Sequence, residues 1–435
     1  MDETQSQVAD PTEPIPLHLL PQGCGVGRDG ALWIRGQRVS DLVKEFGTPL
    51  FIYDEEQIRS RAKELKAHFG SDVAYASKAF LCKAMARLVD EEGLHIDVAS
   101  GGELSVVLSV GFPPERIVMH GNNKSVAELE LAISAGVGRI VIDSFDEIER
   151  LESLIPRGHP IEVWIRVTPG VEAHTHEFIM TGQDDSKFGF GLLSGDAKIA
   201  LDRLKLSERL NLVGLHAHIG SQIFSLDSFV KEVEVLAPFF ASAGVEELNF
   251  GGGLGIPYVS GEPVIEFSDW AAALKDSVKA AGIPSSARIM VEPGRSLVGP
   301  TAMTVYEIGT IKEIQGIRTY VSVDGGMSDN PRPVLYGSGY ETFLVDSVFA
   351  RRERRVTVVG KHCESGDILV KEGQLPSAAK VGDLLATPVT GAYGYSMASN
   401  YNKVGRPAVV FVNNRGYRLV LRRETVSDLL SLDLG

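Results

Sequence analysis

Eight short apolar segments between Val73 and Arg295 each end in a residue or turn that could do chemistry. In chain order these are Lys78, Asp97, His120, Asp143, Arg166, His218, the triplet Gly251–Gly253 and Glu292. Most of the segments between them have the apolar spacing of amphipathic helices. Repeated strand–helix units whose polar groups collect at the strand C-terminal ends are typical of a TIM barrel. The pattern therefore predicts an α/β fold containing a (β/α)8 barrel, with its site built by the loops after the strands.

Three of these positions together indicate the needs of one cofactor. A lysine after the first strand, Lys78, can form a Schiff base. Glycines after the seventh strand let backbone N–H groups approach a phosphate, at a position where such barrels often bind one. A carboxylate after the eighth strand, Glu292, can keep a pyridine nitrogen protonated and so make the ring an electron sink. These residues predict a site for pyridoxal 5'-phosphate. Arg295 in the same EPGR turn could bind a phosphate or a substrate carboxylate through two hydrogen bonds.

The histidine pair in HAHIGSQ leaves a second interpretation open. His216 and His218 are two residues apart, so on a strand both rings lie on one face, as a metal site would require. A metal hydrolase would usually carry this pair on its first strand, whereas here the pair falls on the sixth, and further ligands are not evident. We favour His218 stacked on a pyridine ring, with His216 packed in the strand, and we predict no metal.

Composition limits the class of protein and its partners. The chain has 435 residues and a net charge of −14, which argues against nucleic acid and anionic membranes as partners. No apolar run approaches the ~18 residues of a membrane span, and the polar start of the chain does not resemble a signal peptide. Three cysteines in so long a chain give no disulfide framework. We therefore expect a cytoplasmic protein.

The rhythm of the chain predicts two domains and a tail. Residues 1–22 are polar and rich in proline, which predicts a loose tail. Residues 47–297 carry the barrel pattern. Residues 298–435 contain strand-like runs with few helices, and with residues 23–46 they are expected to form a β-rich domain. NNRG, which separates two of these runs, predicts a hairpin.

Two loops were candidates for function. The segment from Val171 to Lys187, which includes His174 and His176, is longer than most loops, and its length and composition suggest a substrate-side lid. In KHCESGD, a lone Cys363 is more often inert than reactive. Because Glu364 and Asp367 lie beside it in a short polar loop, a functional and a structural role were equally open.

Ten motifs occur in one order and carry a family resemblance. They are AYASKAF, DVASGGEL, HGNNKS, DDSKFGFG, HAHIGSQ, GGGLGIPY, EPGR, DGGMSDNPRP, CESGD and GAYGYSMASNYN. From about Gly47 to Ala408 the chain resembles the diaminopimelate decarboxylases, which belong to the fold-type III pyridoxal phosphate enzymes with alanine racemase and ornithine decarboxylase. The resemblance implies decarboxylation of meso-2,6-diaminopimelate to L-lysine, the last step of lysine biosynthesis.

The resemblance also implies roles for individual residues. Lys78 would hold the cofactor covalently, His218 would stack on its ring, and Glu292 would face its nitrogen. The remaining implied cofactor contacts are Asp97, Arg166, Ser221, Gly251, Gly252, Gly253, Pro293, Gly294, Arg295 and Tyr393. The implied substrate contacts are Arg295, Arg332, Tyr336, Glu364 and Tyr393. Cys363 would be the proton donor, contributed with Glu364 by the second subunit of a homodimer.

Other activities fit these residues less well. A related decarboxylase acting on ornithine, arginine or lysine is the main alternative, but its substrate has no distal carboxylate for Arg332 to bind. A racemase would want a tyrosine base opposite the lysine. A regulatory pyridoxal phosphate protein without catalysis would normally be a lone barrel.

Overall fold

The structure is a computed structural model that describes residues 12–171 and 186–435. The chain forms two compact units. The first, here called the β unit, comprises the chain through Ser60, Ile256–Val264 and Leu297–Gly435. The second, the barrel unit, comprises Arg61–Gly255 and Ile265–Ser296.

The barrel unit contains eight parallel strands, each paired with the next one along the chain. In order they are Ala74–Ala76, His95–Val98, Ile117–Met119, Arg139–Ile142, Ile161–Thr168, Leu210–Ala217, Glu247–Asn249 and Arg288–Met290. A parallel bridge between Val73 and Val291 joins the first strand to the eighth and brings the sheet back on itself. A short extra strand, Phe190–Gly191, pairs with the end of the fifth. The predicted (β/α)8 barrel is confirmed.

Helices follow the strands. The α-helices of this part of the chain are Glu55–Phe69, which begins in the β unit, and Lys83–Glu91, Gly101–Leu108, Val126–Ala135, Phe145–Leu154, Asp196–Lys205, Leu226–Ala243 and Phe267–Ala280. The helices after strands two, three and four all begin at a serine whose hydroxyl accepts a hydrogen bond from the backbone N–H of a glutamate three residues later. This is the Ser-x-x-Glu signature of a helix start. The serines and glutamates of DVASGGEL and of the segment after HGNNKS are therefore helix caps.

Apolar side chains fill the inside of the barrel. Val118, Val141, Trp164 and Met290 form one buried cluster contributed by four different strands. Beneath it, Glu247 at the start of the seventh strand accepts hydrogen bonds from Trp164 (2.6 Å) and from Arg139 (2.7 and 2.8 Å). Arg288 adds a further bond at 3.1 Å. Charged residues thus tie together the N-terminal ends of three strands, which leaves the opposite end available for chemistry.

The β unit is built on a mixed sheet. Its strands are Cys24–Val26, Leu32–Ile34, Gln37–Arg38, Leu50–Asp54, Ala302–Ile314, Arg318–Val323, Phe343–Leu344, Arg354–Val359, Ile368–Leu375, Leu384–Pro388, Ala408–Asn413 and Gly416–Leu421. The first three form a small antiparallel sheet, and the others form the large one. Its short α-helices are Val39–Phe46, Arg332–Tyr336 and Val426–Leu430, and Arg295–Val298 spans the boundary between the units. The NNRG hairpin is confirmed, since Asn413 pairs with Gly416.

Two predicted boundaries differ from the structure. Leu50–Asp54 was placed at the start of the barrel domain 47–297, but it pairs with Ala302–Ile314 and with Ala408–Asn413 in the β unit. The strand is buried along its whole length, because this apolar run has sheet neighbours on both sides. The β unit also takes Ile256–Val264, which the prediction left in the barrel.

The predicted loose tail 1–22 is also wrong where the structure describes it. Ile15, Leu19 and Leu20 are buried in the core of the β unit, because the short 3-10 helix Leu17–Leu19 that follows Pro16 lets these apolar residues pack against it. The predicted lid from Val171 to Lys187, with His174 and His176, falls almost entirely outside the described residues. Among the helices that are described, none has the length and apolar character needed to cross a bilayer.

The Glu247 cluster generates a stability prediction. Glu247→Ala should lower the free energy of unfolding by roughly 2–3 kcal/mol, because it leaves two partly buried arginines without their carboxylate. Chemical denaturation of the purified protein measures this. The control is Asp202→Ala, which removes an exposed pair with Lys198 and should cost less than about 1 kcal/mol. Equal losses in the two variants would contradict the cluster's assigned role.

Candidate active site

The predicted site residues of the barrel unit lie at the C-terminal ends of its strands. Lys78 is in the short 3-10 turn Ser77–Ala79, directly after the first strand, and its side chain is exposed. Asp97 lies beside it, since Asp97 is the register partner of Ala76. The EPGR turn is held to the same strand end, because the backbone N–H of Ala76 donates to the carbonyl of Pro293 at 3.3 Å. The first and eighth strands thus bring the lysine and the EPGR carboxylate to one end of the barrel.

Glu292 is the centre of a buried polar network. The Nε2 atom of His120 lies 2.9 Å from its Oε1, and the Nε2 atom of His216 lies 3.0 Å from its Oε2. The side-chain amide of Asn249 donates to Oε1 at 2.8 Å. All four residues are buried, and they come from four different strand ends. The carboxylate is therefore fixed from three directions.

Charge states follow from this environment. Burial alone would raise the pKa of Glu292, but the interactions with His120 and His216 outweigh burial and hold that pKa well below its usual range. Burial lowers the pKa of His216 to about 4, and it lowers the pKa of His120 as well. At neutral pH the network is therefore an ionised carboxylate between two neutral imidazoles.

His216 has one tautomer that fits its surroundings. Its Nδ1 atom is buried and has no hydrogen-bond partner among the described residues. A proton on that nitrogen would be a buried donor without an acceptor, which is costly. The proton therefore sits on Nε2, where it is donated to Glu292. His216 is not simply packed in the strand, as the sequence analysis had it.

The same atoms bear on the metal alternative. Donor atoms of His120, His216 and Glu292 all lie within 4.8 Å of one another, so three potential ligands do gather where the sequence showed only a histidine pair. In the structure these donors and acceptors satisfy one another directly. Their geometry is that of a carboxylate held as a hydrogen-bond acceptor.

The glycine triplet forms a bare backbone turn after the seventh strand. A Cβ atom on Gly251 would lie 2.7 Å from the carbonyl oxygen of Ala217, and one on Gly252 would lie 2.3 Å from that of Glu292. Gly251 and Gly253 also adopt positive φ angles of 63° and 106°, which favour glycine. Any side chain here would force the turn apart, and the bare amides are suited to a phosphate.

Two further predicted residues meet beside this turn. Arg295 begins the helix Arg295–Val298, and its Nη2 atom donates to the hydroxyl of Ser221 at 2.8 Å. His218 accepts a hydrogen bond on Nδ1 from the backbone N–H of Gly252 at 3.3 Å. The structure therefore brings Ser221, His218, Arg295 and the glycines together, and their roles remain predictions.

Charges near Lys78 are set by burial. Burial raises the pKa of Asp97 well above its usual value, the negative charge of Glu292 raises it further, and Lys78 opposes both. Burial lowers the pKa of His218 well below its usual value, and Lys78 and Arg166 lower it further. A neutral imidazole at this position can pack against an aromatic ring without carrying charge into the pocket.

Arg166 belongs to a neighbouring structural cluster. Its Nη1 lies 3.8 Å from the carboxylate of Asp143, and its guanidinium stacks over Phe188 at 4.3 Å. Asp143 also accepts a hydrogen bond from the backbone of Gly189 at 2.8 Å. The nearest contacts of Arg166 are therefore with Asp143, at the end of the fourth strand, and with Phe188, in the FGFG segment.

In the β unit, Arg332 sits in a cage of aromatic residues. It is buried, its guanidinium stacks over Tyr258 at 4.2 Å, and it donates to the hydroxyl groups of Tyr340 (2.7 Å) and Ser338 (3.0 Å). Burial would lower its pKa, but Tyr258 and Tyr340 raise it above its usual value. Its Nε atom has no hydrogen-bond partner among the described residues. A buried, charged guanidinium with a spare donor is suited to an anionic ligand.

The CESGD loop of the β unit is exposed at its tip and anchored at its base. Cys363 and Glu364 are exposed. The carboxylate of Asp367 accepts hydrogen bonds from the backbone of Met327 (2.6 Å) and of His362 (2.8 Å). The ring of His362 then bridges Ser328 and Asn402. Asp367 is thus structural, while the thiol is presented outward.

The two predicted tyrosines also lie in the β unit. Tyr336 is half-buried in the last turn of Arg332–Tyr336, and Tyr393 is half-buried at a positive φ of 60°. The phenol of Tyr393 acts on Arg332, whose pKa it raises. The roles assigned to both tyrosines remain predictions.

Sequence reasoning missed several residues that the structure places in these clusters. Asn249 and His120 were quoted or noted without a role, and Tyr258 and Tyr340 were not considered as partners of Arg332. A signal existed for the first two. Each is a polar residue at or just after the C-terminal end of a barrel strand, so it lies at the same end of the barrel as the predicted site residues.

Comparison with known proteins gives a consistent family. The profile described as "Pyridoxal-dependent decarboxylase, pyridoxal binding domain" matches residues 55–299. The chain is 48% identical to diaminopimelate decarboxylase of Mycobacterium tuberculosis over 443 aligned positions, covering 96% of this chain and 99% of the relative. It is 47% identical to that of Bacillus subtilis, covering 93% and 95%.

A solved structure agrees with the sequence relatives. The fold matches diaminopimelate decarboxylase of M. jannaschii in complex with L-lysine, with a TM-score of 0.86 and 33% identity. The match covers 95% of this chain and 98% of that one.

The position of Lys78 generates a labelling prediction. Borohydride reduction of the protein with pyridoxal phosphate should fix the label on Lys78, because this exposed amine lies at the same end of the barrel as Glu292. Lys78→Ala should lose both the label and the visible absorption of the bound cofactor. Lys83→Ala is the control, since Lys83 is also exposed and only five residues away. A peptide map that places the label on Lys83 would refute the assignment.

Proposed function

This chain belongs to the diaminopimelate decarboxylase family of pyridoxal-dependent decarboxylases, and from that premise we propose that it converts meso-2,6-diaminopimelate to L-lysine and CO2. This is the reaction that completes lysine biosynthesis. The observation that carries the choice of substrate is the buried guanidinium of Arg332 in its aromatic cage.

The residues at the barrel end fit pyridoxal 5'-phosphate. A bare glycine turn whose Cβ positions are blocked by backbone suits the phosphate. An ionised buried carboxylate, Glu292, suits a protonated ring nitrogen, and an exposed amine, Lys78, suits the aldehyde. When bound, the cofactor supplies an electron sink for the carbon that loses CO2.

The protein's own groups then have distinct tasks. Glu292 would keep the ring nitrogen protonated, and His218 would pack against the ring as a neutral imidazole. The glycines and Ser221 would bind the phosphate, and Asp97, Pro293 and Gly294 would line the cofactor pocket; Tyr393 of the β unit keeps the cofactor-binding role that the resemblance implies. Arg166 borders that pocket. Lys78 would hold the cofactor through its side-chain amine.

Substrate choice rests on the distal carboxylate of diaminopimelate. In the β unit we assign Arg332 to this carboxylate, and the resemblance implies substrate roles for Glu364, Tyr336 and Tyr393 as well. Arg295 of the barrel unit keeps the substrate role that the resemblance implies. Ornithine and lysine have no carboxylate at that end, so binding either would leave a buried guanidinium without its partner. Such an unpaired group can cost several orders of magnitude in specificity. The observations in the β unit therefore favour diaminopimelate over a basic amino acid.

The protonation step is assigned to Cys363 of a second subunit. Its thiol is exposed on an anchored loop. The β unit also exposes the apolar side chains of Val334 and Leu335, on the helix Arg332–Tyr336, and of Tyr401, whose ring lies 5.4 Å from that of His362 at the base of this loop. Exposed apolar groups around a functional loop support contact with a second copy of the chain. We propose a homodimer in which each Cys363 and Glu364 serve the other subunit's barrel, the thiol giving its proton to Cα.

We place the protein in the cytoplasm. The support is the sequence: three cysteines, all of them free in the structure, are the pattern of a chain kept in a reducing compartment. Fractionation of the source cells with an activity assay tests this.

The substrate assignment predicts a selective assay. With pyridoxal phosphate present, CO2 should be released from meso-diaminopimelate, with lysine as product, and not from L-ornithine, L-arginine or L-lysine. Arg332→Leu should lower kcat/KM for diaminopimelate by at least about 10²-fold. Arg332→Lys should have a kcat/KM between those of the wild type and the leucine variant, because an ammonium keeps the charge but cannot bind a carboxylate through two parallel hydrogen bonds. Arg318→Leu, at an exposed arginine of the β unit, is the control. Release from a basic amino acid alone would discard the diaminopimelate assignment.

If each active site contains residues of both subunits, two inactive variants should complement each other in a mixed dimer. Lys78→Ala and Cys363→Ala should each be severely impaired alone, whereas subunit exchange between them should restore activity. A mixed dimer would contain one site with both a wild-type lysine and a wild-type cysteine. Separate tags allow the mixed dimer to be purified and assayed. No recovery in a verified mixed dimer would show that each chain supplies its own cysteine.

A further inference from the structure

The network around Glu292 has a function beyond burying a carboxylate. We infer that His120, His216 and Asn249 are positioning residues that hold the Glu292 carboxylate as the acceptor for the cofactor's ring nitrogen. This inference rests on the proposed function, because it assumes that pyridoxal phosphate binds at this end of the barrel.

The first argument is the directed character of the contacts. Three donors reach the two carboxylate oxygens at 2.8–3.0 Å, and each comes from a different strand end. The two imidazole rings lie 4.6 Å apart with their planes inclined by 65°, so each approaches its own oxygen. A carboxylate has about four acceptor positions. Three are occupied, which leaves one direction for a further donor.

The second argument is charge. Two neutral imidazoles and an amide donate N–H groups without neutralising the carboxylate. A lysine or arginine in their place would give Glu292 a permanent cationic partner. The network therefore keeps a full negative charge available for a cation, and a protonated pyridine nitrogen is a cation with one N–H donor.

The third argument is the link to the phosphate turn. Asn249 donates to Glu292 and also accepts, on Oδ1, from the backbone N–H of Gly251 at 2.8 Å. The backbone N–H of Glu292 in turn donates to the carbonyl of Gly251 at 2.6 Å. The side-chain amide of Asn249 thus fixes the position of Glu292, the acceptor for the ring nitrogen, relative to the glycine turn, which would bind the phosphate. A single residue therefore positions the groups that would bind opposite ends of the cofactor.

A cofactor without a ring nitrogen separates this role from a structural one. The dissociation constant is measured for pyridoxal phosphate and for 1-deaza-pyridoxal phosphate, in which a C–H group replaces the nitrogen. For His216→Leu and His120→Leu, affinity for pyridoxal phosphate should fall about tenfold or more, as expected for the loss of a charge-assisted hydrogen bond. Affinity for the deaza compound should stay within about twofold of wild type.

Two further variants sharpen the test. Glutamine carries an N–H donor in place of Nε2, so His216→Gln should recover most of the lost affinity for pyridoxal phosphate. His95→Leu is the matched control, because His95 starts a barrel strand at the opposite end and pairs with Arg288. It should leave the ratio of the two dissociation constants unchanged.

The outcomes are distinct. Equal losses for both cofactors would overturn the inference, since a purely structural defect does not discriminate between them. Unchanged affinity for both in either leucine variant would overturn it for that histidine. Failure of the wild-type protein to bind pyridoxal phosphate would instead defeat the proposed function.

Discussion

The site depends on one buried carboxylate that must remain ionised. Glu292 lies among buried residues at the end of the eighth barrel strand, and burial disfavours its charge. Three N–H donors from other strand ends offset that cost. The barrel makes this possible, because only a sheet that returns on itself brings the ends of the third, sixth, seventh and eighth strands around one point.

At the N-terminal ends of the barrel strands, a buried carboxylate is stabilised by charged partners instead of neutral ones. There Glu247 is matched by two arginines and the indole of Trp164, so its charge is neutralised within the protein. At the C-terminal end, the described residues that donate to the Glu292 carboxylate are two neutral imidazoles and an amide. Glu247 therefore stabilises the packing of the strands, whereas Glu292 keeps a negative charge that a ligand can bind.

The sequence predicted the barrel well because its signals are local. Eight apolar runs ending in polar residues became eight strands in the predicted order. The contacts of Asn249, His120 and Tyr258 were missed because they depend on atoms far apart in the chain. Distance along the chain also hid the sheet position of Leu50–Asp54, whose partners lie some 250 and 360 residues away, and the burial of Ile15 and Leu19 in a tail that looked polar.

Protonation of the cofactor's ring nitrogen is the most direct measure of this account. Pyridoxal phosphate labelled with 15N in the ring would be bound to the wild-type protein, and its nitrogen chemical shift recorded at neutral pH. We expect the shift of a protonated pyridine hydrogen-bonded to a carboxylate, moving toward the neutral value in Glu292→Gln. A neutral, unprotonated nitrogen in the wild-type protein would contradict the role given to Glu292 and the residues that hold it.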